Sequence, residues 1–108
     1  MLFARDIEVV KDFVLGRLED IIDGMAETTM DKYDAEVFYT LMDVKENIEL
    51  GTMLTKDMAT QLNETLEMDM QTAILNRYPE NLNISAIDEL SIYSDAWYIY
   101  CRPGTYQI

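Results

Sequence analysis

The sequence predicts a mainly helical α+β domain, in which three amphipathic helices precede a short aromatic β segment at the C-terminus. Apolar residues recur every three or four positions through most of the chain, which is typical of the buried side of helices. The last thirty residues instead hold five of the eleven aromatic residues, and aromatic residues favour strands. An all-α fold is the alternative. Because the chain has 108 residues and neither a repeat nor a linker, we expect a single domain over residues 1–108.

The first predicted helix covers residues 5–24 and the second covers residues 31–50. Gly24 is expected to end the first helix, and either Thr28 or Asp31 to cap the second. Gly51 follows the last apolar position, where a left-handed residue commonly ends a helix. The two apolar stripes comprise Ile7, Val10, Val14, Leu18 and Ile21, and then Val37, Phe38, Leu41, Val44 and Ile48.

The third predicted helix begins after Thr55, which serves as its N-cap, and ends before Pro79. Its buried stripe comprises Met58, Leu62, Leu66, Met70 and Ile74. Met53 and Met68 do not belong to this stripe, and we expect them to be exposed. Methionine fills irregular cores and also adapts to binding partners, so both roles stay open for this methionine-rich chain.

The C-terminal segment is predicted to form two short strands from Leu90 onward, with a tight turn at residues 94–95. The same residues can also be placed on a helix capped by Ser85. That alternative puts Ile87, Leu90, Trp97 and Cys101 near one helical face.

Composition excludes several kinds of protein. The chain carries 8 basic and 21 acidic residues, a formal net charge of −13, yet 49% of its residues are hydrophobic. An acidic disordered tail lacks so many side chains to bury, so we expect a folded acidic protein. The chain has no histidine, which removes the commonest general base and the commonest transition-metal ligand. Its four glycines are isolated and form no phosphate-binding loop. We therefore expect a protein that is not an enzyme and needs no cofactor or metal.

The location of the protein is predicted from its cysteine content and from its apolar runs. A lone cysteine, Cys101, cannot form an intramolecular disulfide, and its aromatic neighbours favour a core position over a nucleophilic role. Charged residues interrupt the N-terminal segment, and no apolar run is long enough to span a membrane. A cytoplasmic protein is the expectation.

The distribution of acidic residues is the feature that points to function. Residues 1–78 hold 17 acidic residues against 7 basic ones, and the basic residues are spread singly. The resulting negative electrostatic field favours binding to a basic protein, such as an enzyme that handles DNA or RNA, and disfavours direct binding to nucleic acid. A homodimer is also compatible with the sequence. The residues predicted to bind the partner are Glu19, Asp20, Asp23, Glu27, Asp31, Asp34, Glu64, Glu67 and Asp69.

Three short stretches carry a family resemblance. Residues 25–27 (MAE), 33–38 (YDAEVF) and 55–57 (TKD) follow one another as in the small acidic Ocr proteins of T7-like phages, which this chain resembles over residues 25–60. Members of that family are DNA mimics that block restriction enzymes. The resemblance implies a phage- or mobile-element-encoded inhibitor of host defence, by anti-restriction or anti-CRISPR action, whose carboxylates stand in for phosphates.

Two further interpretations belong to other classes. An immunity or antitoxin protein that neutralises one basic toxin would use the same acidity, together with a specific aromatic anchor. Trp97 and Tyr98 are the predicted anchor residues, although a small domain also needs aromatic side chains in its core. A small enzyme is the third interpretation, and no catalytic signature marks any of its carboxylate pairs.

Overall fold

Four helices form the part of the chain that the structure describes. The computed structural model describes residues 6–77 and 84–106. They comprise α1 (Ile7–Ala26), α2 (Lys32–Leu50), α3 (Lys56–Arg77), α4 (Ile84–Ala96) and a π-helical turn, Trp97–Cys101, that directly follows α4. Each helix packs against the next in sequence, and α1 also packs against α4, so the helices close a ring around a shared core. This arrangement is a four-helix bundle.

Side chains just before the helices fix where three of them begin. The carboxylates of Asp6 and Asp31 each accept a hydrogen bond of 2.8 Å from a backbone N–H in the first turn of α1 and α2, respectively. The hydroxyl of Thr55 accepts one of 3.2 Å from a backbone N–H of α3. These bonds satisfy N–H groups that have no partner within the helix. The predicted cap Thr55 is confirmed, and the structure selects Asp31 over Thr28.

One predicted helix end is confirmed and another is wrong. Gly51 follows α2 with a φ of 74°, the left-handed conformation that glycine adopts without steric penalty. Gly24, in contrast, lies inside α1, which continues to Ala26. The reason is that Met25 packs against the core, and such a contact outweighs the cost of about 1 kcal/mol for a glycine within a helix.

Among the described residues, thirteen form the buried core, and eight of them belong to the predicted stripes. Its buried residues are Val10, Val14, Leu18, Leu41, Val44, Ile48, Leu54, Ala59, Leu62, Leu66, Tyr93, Ala96 and Cys101. Met58 and Met70 are partly buried against this core, whereas Met53 and Met68 are exposed, as predicted. Ile7 was expected in the stripe of α1 but is 53% exposed, and Ile74 lies outside the described side chains.

The predicted α+β fold is wrong, because the C-terminal segment is helical and no strand occurs in residues 6–77 or 84–106. Two isolated strands would have no sheet to join among three helices, and a lone hairpin is marginally stable in water. A helix satisfies its own backbone groups and still buries Tyr93 and Ala96 against the bundle. The all-α alternative is therefore the observed fold, and tertiary packing overrides the local preference of the aromatic residues for strands.

The π-helical turn sets which C-terminal side chains face the core. The N–H of Arg102 donates to the carbonyl of Trp97 at 3.0 Å, the five-residue spacing that defines a π turn. Cys101 is buried at the end of this turn, whereas Trp97 at its start is 43% exposed. The helical alternative placed both residues near one face, and in the structure both line one groove together with Leu90.

Within the described part of the chain, no helix combines the length and the apolar character needed to cross a bilayer.

Candidate functional site

Eight of the nine predicted acidic residues lie on the outside of the bundle. We call them the acidic surface: Glu19, Asp20, Asp23, Glu27, Asp31, Asp34, Glu64 and Glu67, all of which are exposed. They come from the second half of α1 and its C-cap, from the N-cap and first turn of α2, and from the middle of α3. Glu19, Asp23 and Glu27 follow one another at four-residue spacing, which puts them in one row along the outside of α1.

The ninth residue, Asp69, is mostly buried between helices instead of being exposed. Its side chain is only 11% exposed and receives two hydrogen bonds of 2.8 Å from the guanidinium of Arg17, one to each carboxylate oxygen. The hydroxyl of Tyr93 donates a third, of 2.6 Å. These bonds join α1, α3 and α4, so Asp69 ties three helices together rather than presenting a free charge.

The protonation of Asp69 reflects this environment. Burial by itself would raise the pKa of the carboxyl group. The hydrogen bonds from Arg17 and Tyr93, together with the positive charge of Arg17, outweigh burial and lower the pKa below its usual value. Asp69 is therefore an ionised carboxylate whose charge is balanced inside the bundle.

Arg17 also contacts the acidic surface. Its guanidinium donates a further hydrogen bond of 2.8 Å to Asp20, one turn along α1. Asp20 is therefore partly neutralised, although its side chain stays 68% exposed. Among the acidic residues in the second half of α1 and at its C-cap, the ones whose charge is not balanced by Arg17 are Glu19, Asp23 and Glu27.

Several charged residues of α1, α2 and α3 oppose the dipoles of these helices. Helix C-termini favour basic residues, but the last turns of α1 and α2 contain none. Asp23 and Glu49 lie near these ends, and Lys32 and Lys56 occupy the first positions of α2 and α3. Other acidic residues are well placed, such as the caps Asp6 and Asp31. The acidity therefore extends to positions where it lowers helix stability.

A first groove lies where α1, α2 and α3 meet, and we call it the methionine groove. It has a volume of about 340 Å³, and its apolar lining includes Ile21 and Met25 of α1, Val37 and Leu41 of α2, and Met68 of α3. Two residues of the acidic surface, Asp34 and Glu64, line it as well. The structure thus brings part of the predicted site next to exposed apolar side chains.

Exposure distinguishes the methionine groove from an ordinary seam between helices. Tyr33 and Met68 both line it, and they are 67% and 70% exposed. A single exposed apolar side chain is common on protein surfaces, but a group around a groove often marks a binding site. Sequence reasoning predicted that Met68 is exposed but did not identify the groove, because its walls come from three separate helices.

A second groove lies on the other side of α3, and we call it the tryptophan groove. It has a volume of about 350 Å³ and is lined by apolar residues of α3, α4 and the π-helical turn, including Leu66, Met70 and Trp97. Glu67, a member of the acidic surface, lies beside them. Trp97 is thus a half-exposed aromatic residue at an apolar groove and next to a carboxylate. This is the environment expected of an aromatic residue that anchors a binding partner.

The other predicted anchor, Tyr98, already has a partner within the chain. The guanidinium of Arg102 lies over its ring at 4.1 Å from the ring centre, and Arg102 also donates a hydrogen bond of 3.0 Å to the Tyr98 carbonyl. This cation–π contact covers one face of the ring. Of the two predicted anchors, Trp97 is the one placed at a groove.

The chemistry of the remaining candidate groups is limited. Burial raises the pKa of Cys101 to about 12, so its thiol is protonated at neutral pH. Within the described residues no group of three or more cysteine, aspartate or glutamate side chains is arranged to hold a metal ion. The described part of the chain therefore offers an acidic surface and two grooves for binding.

No protein-family model, curated protein or solved structure matches this chain. The function is therefore argued from the acidic surface and the two grooves.

Proposed function

We propose that this protein is a non-enzymatic inhibitor that binds a basic, nucleic-acid-handling protein and occupies its nucleic-acid channel. The observation that supports the proposal best is the acidic surface: eight exposed carboxylates from three helices of a chain with a net charge of −13. A field of this sign attracts proteins that hold nucleic acid through lysine and arginine.

The spacing of the carboxylates is compatible with this role. Residues four apart on a helix are separated by a rise of about 6 Å, whereas phosphates on one DNA strand are about 3.4 Å apart along the helix axis. One row on α1 is thus less densely charged than a DNA strand. Mimicry would therefore require carboxylates of α2 and α3 in addition to that row.

The resemblance to Ocr-type proteins supports a phage or mobile-element origin and a restriction or CRISPR enzyme as the target. In that setting the inhibitor acts in the cytoplasm of the host bacterium. It needs no cofactor, because blocking a channel requires only binding.

The exposed Trp97 favours a second candidate function, an immunity or antitoxin protein that neutralises one basic toxin. This residue is 43% exposed at an apolar groove, and such aromatic residues dominate the binding energy of specific interfaces. A mimic should bind several DNA-handling proteins and lose them at high salt. An immunity protein should retain one partner through an apolar centre.

Capture of proteins from a bacterial lysate on the tagged protein, washed at about 0.15 M and about 0.5 M salt, tests both functions, because these concentrations screen charges to different degrees. DNA-binding enzymes that wash off at high salt, and that duplex DNA displaces, would support the mimic. One basic protein that survives the high-salt wash would favour the immunity function. Failure to capture basic proteins would refute both.

Matched variants test whether the acidic surface is responsible. The test variant replaces Glu19, Asp23 and Glu27 with amides, and it leaves Asp20 unchanged because Asp20 pairs with Arg17. The control variant replaces the exposed α2 residues Asp43, Glu46 and Glu49 with amides, which changes the net charge equally. Loss of binding in the first variant alone supports the proposal. Equal loss in both would show that only total charge matters.

A further inference from the structure

The methionine groove has the dimensions of a site for a helix. Its α2 wall includes residues 33, 34, 37 and 41, and its α3 wall includes residues 61, 64, 65, 68 and 72. At 1.5 Å per residue these walls extend over about 12 Å and about 16 Å. Two to three turns of a helix have that length, so the groove is better suited to an elongated segment than to a small molecule.

The lining of the groove is apolar and adaptable. Met25 and Met68 contribute unbranched, polarisable side chains that adjust to differently shaped apolar partners. Leu41 beneath them is fully buried and belongs to the core, so the base of the groove is rigid. A rigid base with flexible methionine edges is typical of surfaces that accept the apolar side of an amphipathic helix.

The charges around the groove determine the sign of its ligand. Asp34 and Glu64 are exposed and line the groove, while the charge of Asp69 is already balanced by Arg17. A bound helix would therefore place basic residues beside Asp34 and Glu64. A second copy of this chain, with a net charge of −13, would be repelled.

We infer that the methionine groove binds a basic amphipathic helix of the partner, whose apolar side covers Met68 and Tyr33 and whose lysine or arginine residues pair with Asp34 and Glu64. This inference rests on the proposed function, since it identifies the part of the basic partner that is recognised. It adds an apolar contact that DNA mimicry alone would not provide. The partner's exposed basic helix, rather than its channel alone, is then the determinant of specificity.

The test uses a fluorescent 18-residue peptide of leucine and lysine with helical periodicity. A peptide of the same composition but scrambled order, and a leucine–glutamate peptide with helical periodicity, are the controls. Binding is measured by fluorescence anisotropy against the full chain. We expect the amphipathic basic peptide to bind at least about tenfold more tightly than either control, because only it combines an apolar side with complementary charge. Equal binding of the scrambled peptide would overturn the inference.

Matched variants locate the binding site. Met68→Gln with Tyr33→Ser removes the exposed apolar residues of the groove, and we expect at least about tenfold weaker peptide binding. Leu50→Gln with Met53→Gln changes two comparably exposed apolar residues at the other end of α2, and we expect no change. All four side chains are more than half exposed, so both variants should fold, which circular dichroism checks. Equal affinities of the two variants would overturn the inference.

A charge variant and the lysate experiment separate the two proposals. Asp34→Asn with Glu64→Gln should weaken peptide binding at about 0.15 M salt and have less effect at about 0.5 M salt, because screening already suppresses the charge contribution there. An unchanged affinity at both salt concentrations would contradict the role of these residues.

If the Met68→Gln/Tyr33→Ser variant still captures basic proteins from the lysate, the groove inference fails and the proposed function stands. If the protein captures none but binds the peptide through the groove, the proposed function fails.

Discussion

The Arg17–Asp69–Tyr93 cluster provides the sharpest prediction about stability. Replacing Arg17 with methionine keeps most of the side-chain volume but removes both hydrogen bonds to Asp69. The carboxylate, whose side chain is 11% exposed, would then retain the hydroxyl of Tyr93 as its partner in the cluster. Replacing Asp69 with asparagine is milder, because Arg17 is 34% exposed and can still pair with Asp20 or with water.

The magnitudes follow from the burial of the two partners. Exposed ion pairs contribute about 0.2–1 kcal/mol, whereas leaving one partner of a fully buried pair uncompensated costs about 3–5 kcal/mol. The pair described here lies between these limits. We expect Arg17→Met to lower the free energy of unfolding by about 2 kcal/mol and Asp69→Asn to lower it by about 1 kcal/mol. The coupling energy between the two substitutions should be about 1 kcal/mol.

Urea unfolding followed by circular dichroism measures these differences, with the double variant completing the cycle. A larger loss of stability for Asp69→Asn than for Arg17→Met would contradict this ranking, because it would mean that the charge of Asp69 does not depend on Arg17. Additive single effects would refute the coupling. Tyr93→Phe serves as a control for the third hydrogen bond, with an expected loss of about 1.5 kcal/mol.

The same cluster predicts a pH dependence. The pKa of Asp69 is lower in the folded protein than its ordinary value of 3.8. The ion pair with Arg17 therefore contributes fully to the free energy of unfolding above about pH 4. This contribution is lost as the pH falls through the lower pKa that Asp69 has in the folded protein. The stability difference between the wild type and Arg17→Met should shrink in that acidic range. A difference that grows on acidification would contradict the assignment.

Three other predictions concern single residues. Cys101 is buried and its thiol has a pKa of about 12 instead of 9.0, so its thiolate should be about a thousandfold scarcer at neutral pH than that of a free cysteine. Iodoacetamide should therefore label Cys101 quickly only when the protein is unfolded in urea. Fast labelling of the folded protein would contradict the burial of this residue. Glu49→Gln should stabilise the protein by about 0.3–1 kcal/mol in thermal unfolding, because Glu49 lies near the C-terminus of α2, the negative end of the helix dipole. A loss of stability would show that Glu49 makes a favourable contact. Gly51→Ala should lower the free energy of unfolding by about 1 kcal/mol, because Gly51 has a φ of 74°, a left-handed conformation that is unfavourable for alanine. An unchanged urea midpoint would argue against that conformation.

Features of the structure that depend on local periodicity were predictable from the amino-acid sequence. The stripes of α1, α2 and α3 and the caps at Thr55 and Gly51 follow from the geometry of a single helix, so they could be read without knowledge of the fold. The exposure of Met53 and Met68 was predicted for the same reason. The acidity of the surface was also predictable, because charged side chains are rarely buried without a partner.

Features that depend on contacts between residues distant in sequence were not predictable in this way. The C-terminal residues carry a local preference for strands, but the surface left open by α1 and α3 is covered by a helix, so α4 and the π-helical turn form there. Asp69 resembled its acidic neighbours until Arg17 and Tyr93, 52 and 24 residues away, were found to bind it. The methionine groove likewise exists only where three helices meet. Short-range spacing fixes which side of a helix is apolar, whereas packing between helices decides which polar and apolar groups meet.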